Sequence, residues 1–185
     1  MLDPCLIAPE KLRPLKRVEY DRMVEMGLFE DERVELLHGA LVQMTPQGSR
    51  HAEVVRRLNR LFLPVLGGRA EICVQMPLAI SEDSEPEPDF AIVPPGDYSE
   101  AHPATALLVV EVADSSRKKD REIKSALYAA AGIPEYWLVD QVERVVEVRT
   151  RPSRGRYRSL TTFDKGVLRP QAFPKIGVKV SDLLP

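Results

Sequence analysis

The sequence predicts an α/β fold, a mixed β-sheet with helices on its faces. Two observations carry this reading. The apolar runs 106–110 and 134–140 are separated by a helical pattern over 118–131, the strand–helix–strand order of a parallel crossover unit, which is right-handed in nearly all sheets. On either side of that unit, short runs separated by glycine-bearing turns read as antiparallel pairs. With 185 residues, 44% apolar and 29% charged, the chain suits one globular domain, residues 1–185, with a well-buried core.

Element by element, the first helix starts soon after Pro14 and runs to Gly27. Tyr20, Met23 and Val24 fall at i, i+3 and i+4 on one face, and the glycine supplies the stop. The runs 33–37 and 40–44 form a hairpin turning at His38-Gly39, and Pro46-Gln47-Gly48 ends it. Val54, Leu58, Leu61, Phe62 and Val65 share one face of a second helix that stops at Gly67-Gly68. Three strands are expected next, at 70–75, 78–80 and 89–93, then a loop over 94–103 and the strand that ends in Glu111. In the helix over 118–131, Ile123, Ala126, Leu127 and Ala130 lie on one face and Gly132 closes it. The run 134–140 is a core strand in which Tyr136 and Trp137 pack. Residues 142–150 and 156–162 form a further antiparallel pair, and 177–180 a short final strand.

No stretch approaches the roughly 20 consecutive apolar residues of a membrane span. The opening residues lack the basic and long apolar segments of a secretory leader. Cys5 and Cys73 are the two thiols, without Cys-x-x-Cys spacing, which argues against a disulfide framework or structural zinc and points to a reducing cytoplasm. The net charge of −2 excludes a globally basic nucleic-acid footprint, but the charges are unevenly spread. Residues 82–89 hold five acids, and residues 144–158 hold six arginines against Glu147. Each cluster alone is an ordinary solvated loop or hairpin. Together they offer acids to hold cations and arginines to hold phosphates.

Asp89, opening the run Phe90-Ala91-Ile92-Val93, and Glu111, closing the run Ala106-Leu107-Leu108-Val109-Val110, each place a carboxylate at the limit of a core strand. An unpaired carboxylate is costly to bury, so two on neighbouring strands need a common partner. The simplest is a hard divalent cation, Mg²⁺ with Mn²⁺ as a substitute, which takes oxygen ligands and is often held by one or two carboxylates. Such an ion suits phosphodiester hydrolysis, because it lowers the pKa of water and stabilises charge on the phosphoryl oxygen. The chain has neither a glycine-rich phosphate loop nor a Gly-x-Ser-x-Gly elbow, which removes nucleoside triphosphatases and acyl hydrolases from consideration.

Arg33-Val34-Glu35-Leu36-Leu37-His38-Gly39, His51, Glu87-Pro88-Asp89, Glu111-Val112, Asp120 with Lys124, and Gly132-Ile133-Pro134-Glu135-Tyr136-Trp137-Leu138-Val139-Asp140 follow one another along the chain. In that order they resemble the Uma-type restriction endonuclease family of the PD-(D/E)XK nuclease superfamily, well over about residues 17–145 and poorly beyond. The resemblance implies a restriction-endonuclease-like mixed sheet flanked by helices, with Asp89 and Glu111 as metal ligands. It implies a third acid, Glu35, to ligate a second ion or orient a water. In the simple motif a lysine stands two residues after the glutamate, where this chain has Ala113. The Uma type looks as if that lysine has moved to the following helix, which makes it Lys124. Its ammonium would help water lose a proton or stabilise the transition state. The implied activity is a Mg²⁺-dependent endonuclease acting on nucleic acid, with DNA as the expected substrate. Cutting both strands of a duplex calls for a homodimer with twofold symmetry.

Each candidate has a plainer account as well. Asp89 can be a strand-entry residue bonded to amides of the acidic loop. Glu35 can be an ordinary polar residue of an alternating strand. Lys124 and Asp120, four residues apart, can form a surface ion pair, although Lys124 falls at the edge of the apolar stripe, from which its amine can reach the sheet end. His51, near a helix start, is either structural or a contact to a substrate phosphate. Gln75 is a candidate for orienting the waters of the metal, and Tyr128, four residues after Lys124, for lining the same groove. His38 and His102 receive no role. Ala113 keeps open a catalytically silent binding or regulatory module of the same fold, and a hydrolase of smaller phosphate esters is a third reading. The arginine-rich strands over 144–162 are candidates for contact with a DNA backbone or with a partner subunit.

Overall fold

The structure, a computed structural model, describes residues 10–184; Cys5 and the expected absence of a leader lie outside the described residues. Helix α1 (Arg17–Glu25) and a hairpin of β1 (Val34–Leu37) and β2 (Ala40–Gln43) come first, followed by α2 (Ser49–Leu66) and β3 (Glu71–Cys73). The centre consists of β4 (Phe90–Val93), β5 (Leu108–Ala113), a π-helical turn (Lys119–Lys124) running into α3 (Ser125–Ala130), and β6 (Glu135–Asp140). β7 (Val145–Ser153), β8 (Arg156–Phe163), β9 (Val167–Leu168), β10 (Val178–Lys179) and α4 (Val180–Leu183) follow. Six strands form one mixed sheet in the order β3-β4-β5-β6-β7-β8, while β1–β2 and β9–β10 pair as separate ribbons. Every neighbouring pair in the large sheet is antiparallel except β5 and β6, which are joined by the crossover that the sequence predicts. Among the described residues no helix is long and apolar enough to cross a membrane.

The two-residue period of β5 sorts its side chains between two cores. Val110 and Val112 join the layer in which Leu58 and Phe62 of α2 pack against Phe90, Trp137 and Val139. Val109 and Ala113 join the opposite layer, with Tyr128 of α3, Tyr136 and Leu138. Each large apolar side chain buried this way contributes ~1.5–3 kcal/mol. β5 is therefore clamped on both faces. Glu111 shares the face of Val109 and Ala113, so its carboxylate enters an apolar layer from a rigid strand.

Several expectations are corrected. Residues 78–80 form no strand: the amides of Leu78 and Ala79 bond the carbonyls of Pro86 and Pro103, which pins the segment between proline-bearing loops instead of in a ladder. β3 stops at Cys73 because Gln75 takes a left-handed φ of 52° and leaves the sheet. β7 begins at Val145, after a turn in which Arg144 has a φ of 55°, and runs on to Ser153. Val180 belongs to α4 and not to the last strand. In the first two helices Tyr20 is buried but Val24 and Val65 are exposed. The largest difference lies in 118–131. Its first half is π-helical, so Ile123 is exposed while Asp120, Lys124 and Tyr128 are buried. A stripe laid out at 3.6 residues per turn does not survive a turn closed by i→i+5 bonds.

Candidate active site

Asp89 immediately precedes β4, and the antiparallel register that pairs Phe90 with Val110 sets it opposite Glu111. The Asp89 amide donates to Glu111 Oε2 at 3.4 Å, and the Val112 amide donates to Asp89 Oδ2 at 2.8 Å. The two acids, 8% and 2% exposed, share one corner of the sheet. They line a cleft of about 90 Å³ together with Gln47, His51, Ser116, Lys119, Asp120 and Lys124.

Lys124 enters this corner from the π turn. Its ammonium lies 2.9 Å from Glu111 Oε1, 2.9 Å from Glu35 Oε2 and 3.4 Å from the Glu87 carbonyl. The surface pair with Asp120 does not form; Asp120 accepts the Ser116 hydroxyl at 2.5 Å instead. Lys119 Nζ lies 2.6 Å from the other oxygen of Glu35. In an α-helix residues i and i+5 point about 140° apart. The wider π turn brings them nearly into line, so both lysines grip one carboxylate. Glu35 is fully buried and also accepts the Glu87 amide at 3.2 Å. It anchors two lysines, one on each carboxylate oxygen. Ala113 is packed in the core beside Glu111, and the ammonium that it lacks arrives from the helix.

His51, in the first turn of α2, donates from Nε2 to Asp89 Oδ2 at 2.9 Å, and the Gln47 amide reaches Oδ1 at 3.2 Å. His51 Nδ1 is buried without a partner among the described residues. Tyr128 does not line the groove: it is fully buried, and its hydroxyl donates to Glu111 Oε1 at 2.6 Å. It orients the acid. Gln75 lies outside the cleft, its amide bonded to the Pro88 carbonyl at 3.2 Å. Sequence reasoning missed Gln47 and Ser116. Gln47 stands in a helix-breaking tripeptide and Lys119 in a basic run, and only the π turn makes the latter a neighbour of Glu35.

Burial is the largest influence on Glu111 and pushes its carboxyl up to about 8; Lys124 opposes this, and Asp89 and Asp120 add to it. Burial also raises Asp120. At Asp89 burial is outweighed by the His51 bond and charge, the Val112 amide and Lys124, so its carboxyl is held below the usual range. Glu35 is lowered in the same way, Lys124 and Lys119 overcoming burial. Lys124 is held above the usual lysine range, since Glu111 and Glu35 outweigh its desolvation. The cleft sets five acids, Glu87, Asp89, Glu111, Asp114 and Asp120, beside the ammoniums of Lys119 and Lys124. An acid-rich cleft of oxygen donors fits a hard divalent cation. Among the described residues no three His, Cys, Asp or Glu side chains converge as a ready-made cluster. Two carboxylates are enough for Mg²⁺, which keeps several of its waters.

A family model named Uma2 and described as "Putative restriction endonuclease" matches residues 17–181, reaching well past the part of the chain in which the sequence pattern is clear. Among solved structures, one described as a "putative nuclease belonging to DUF820 from Anabaena variabilis" shares the fold, with a TM-score of 0.69 at 18% identity; the match covers 92% of this chain and 97% of that one. No curated protein matches.

Proposed function

The chain belongs to the Uma2 family, and on that premise we propose that it is a divalent-metal-dependent endonuclease that hydrolyses phosphodiester bonds in DNA, with Mg²⁺ as its ion and Mn²⁺ as a substitute. One observation carries the reading. The β4–β5 register sets Asp89 opposite Glu111 in a cleft lined by five acids and two lysines. Asp89 and Glu111 would hold the ion, which when bound lowers the pKa of water and stabilises charge on the phosphoryl oxygens. The residues of the chain supply the rest. His51 and Gln47 fix the Asp89 carboxylate, and Tyr128 fixes that of Glu111. Lys124 stays protonated, so it stabilises developing negative charge and does not act as the base. Held by two carboxylates, it needs no reorganisation when the reaction begins. Ala113 favours a silent module of the same fold, but an ammonium already against Glu111 answers that objection. For both strands of a duplex we propose a twofold dimer working in a reducing cytoplasm.

The test is a supercoiled plasmid incubated with Mg²⁺, Mn²⁺ or EDTA. Nicking should require an ion, and Glu111→Gln should abolish it. Thermal melts provide a second readout: Mn²⁺ at a hundredfold excess over its Kd should stabilise the wild type by ~2.7 kcal/mol, and Glu111→Gln should lose that shift. An unchanged shift in the variant, or nicking in EDTA, would overturn the site.

A further inference from the structure

The hairpin of β7 and β8 carries charge that the fold does not use. Arg151, Arg154, Arg156 and Arg158 are all exposed, and none is tied to a carboxylate among the described residues. Arg117, Arg121 and Arg149, nearer the sheet centre, are each paired with Asp140, Glu143 or Glu147. No acid occurs between Glu147 and Asp164. The register pairs Thr150 with Ser159 and Pro152 with Tyr157, which sets Arg151 opposite Arg158. Like charges directly opposite destabilise a strand pair. Arg151 and Arg154 also hold left-handed φ values of 59° and 50°, which non-glycine residues seldom adopt. Repulsion and strain thus meet at one tip, with no internal countercharge.

We propose that this hairpin is a second phosphate-binding surface, which grips the nucleic-acid backbone remote from the scissile bond; the proposal rests on the nuclease reading of the cleft. Guanidinium groups recognise phosphate bidentately, and a polyanion relieves the repulsion at the tip. The placement sets the distance. Thr150 lies beside Glu135, at the start of β6, while the cleft opens beyond Glu111 towards the other end of β5. Arg158 is displaced from Glu111 by about four residues along the strands and three strands across, and Arg154 at the tip by about seven residues and two strands, roughly 20–25 Å at the usual sheet spacings. At 3.4 Å per nucleotide this is about six to eight nucleotides along one strand. A charged edge strand also discourages pairing between sheets, but either sign of charge serves that purpose.

Charge reversal separates the two roles. Binding of a short stem-loop duplex of about 4 base pairs and a duplex of about 24 should be measured in EDTA over a salt series, so that no cutting intervenes. The wild type should bind the longer duplex more tightly, with a steeper salt dependence. Arg154→Glu, Arg156→Glu and Arg158→Glu together should remove that gain, flattening the slope by about 2–3 and leaving the short-duplex affinity and the melting temperature unchanged. The triple Arg→Ala variant should show the same loss if the charge-reversed protein melts early. Equal binding of both lengths by the wild type, or an unaltered long-duplex slope in the variants, would overturn the proposal. If the length effect appears as expected and neither protein cuts DNA with Mn²⁺, the surface stands and the nuclease reading fails.

Discussion

Lys124 is a buried cation with carboxylates on two sides, so its removal tests structure and chemistry together. Deleting one partner of a buried pair costs ~3–5 kcal/mol. Lys124→Met should lower the melting temperature in EDTA and enlarge the rise produced by Mn²⁺, because the ion then becomes the main countercharge to Glu111, while Glu35 keeps Lys119. Nicking should fall by ~100-fold, the effect of losing one preorganised charge-stabilising group. A variant that cuts at the wild-type rate would move the role to Lys119. Glu85 provides a separate residue-scale test, away from the two proposed metal ligands. It is 3% exposed, its Oε2 has no hydrogen-bond partner, and burial pushes its carboxyl from 4.5 up to about 7, with Asp21 adding and Arg17 opposing. Below pH 4.5 the folded and unfolded states are both protonated. Between 4.5 and 7 only the folded state keeps the proton, so stability falls as pH rises through that window and is level above it. Glu85→Gln should therefore melt near the wild type at pH 4.5 and above it at pH 8, by a few kcal/mol at most. Parallel melting curves across that range would refute the assignment.

The π turn is the element on which the site depends. It puts Lys119 and Lys124 on one carboxylate and leaves Glu122 exposed. One alanine inserted after Glu122 places the lysines at i and i+6, about 120° apart on an α-helix, and should separate the two ammoniums, abolishing nicking while the helical circular dichroism persists. Retained cleavage would show that the turn is incidental. This element was also the least legible in the sequence. Asp120, Lys124 and Tyr128 stand four residues apart, a spacing that equally describes the solvent face of an ordinary helix. Hydropathy put Ile123 inside and left the polar trio open, and the structure reverses this. Asp89 and Glu111 were readable because each interrupts an apolar run, an anomaly that a solvated face does not explain. Glu35 was ambiguous, since its strand alternates in the ordinary way. Its partners come from 84 and 89 residues further along, and no local pattern encodes that distance.

For the whole molecule, the crossover and the antiparallel flanks were legible because strand, helix and turn signals agree over 106–162. The proposed dimer should give a mass near 42 kDa by light scattering, twice 20.8 kDa; a monomer at micromolar concentration would remove the dimer and leave the cleft intact. The β1–β2 hairpin has a consequence of another kind. It belongs to no larger sheet, and a two-stranded hairpin is marginal by itself. Its ties include a backbone bridge between Leu36 and Glu85, the Tyr20 hydroxyl on the Val34 carbonyl, and the two lysine pairs of Glu35. An excursion that peels this ribbon from the body carries Glu35 away, releases Lys119 and leaves Lys124 on Glu111 alone. Amide hydrogen exchange at Val34–Leu37 therefore registers how often the lysine pair is assembled, at positions in a ribbon that the cation itself does not touch.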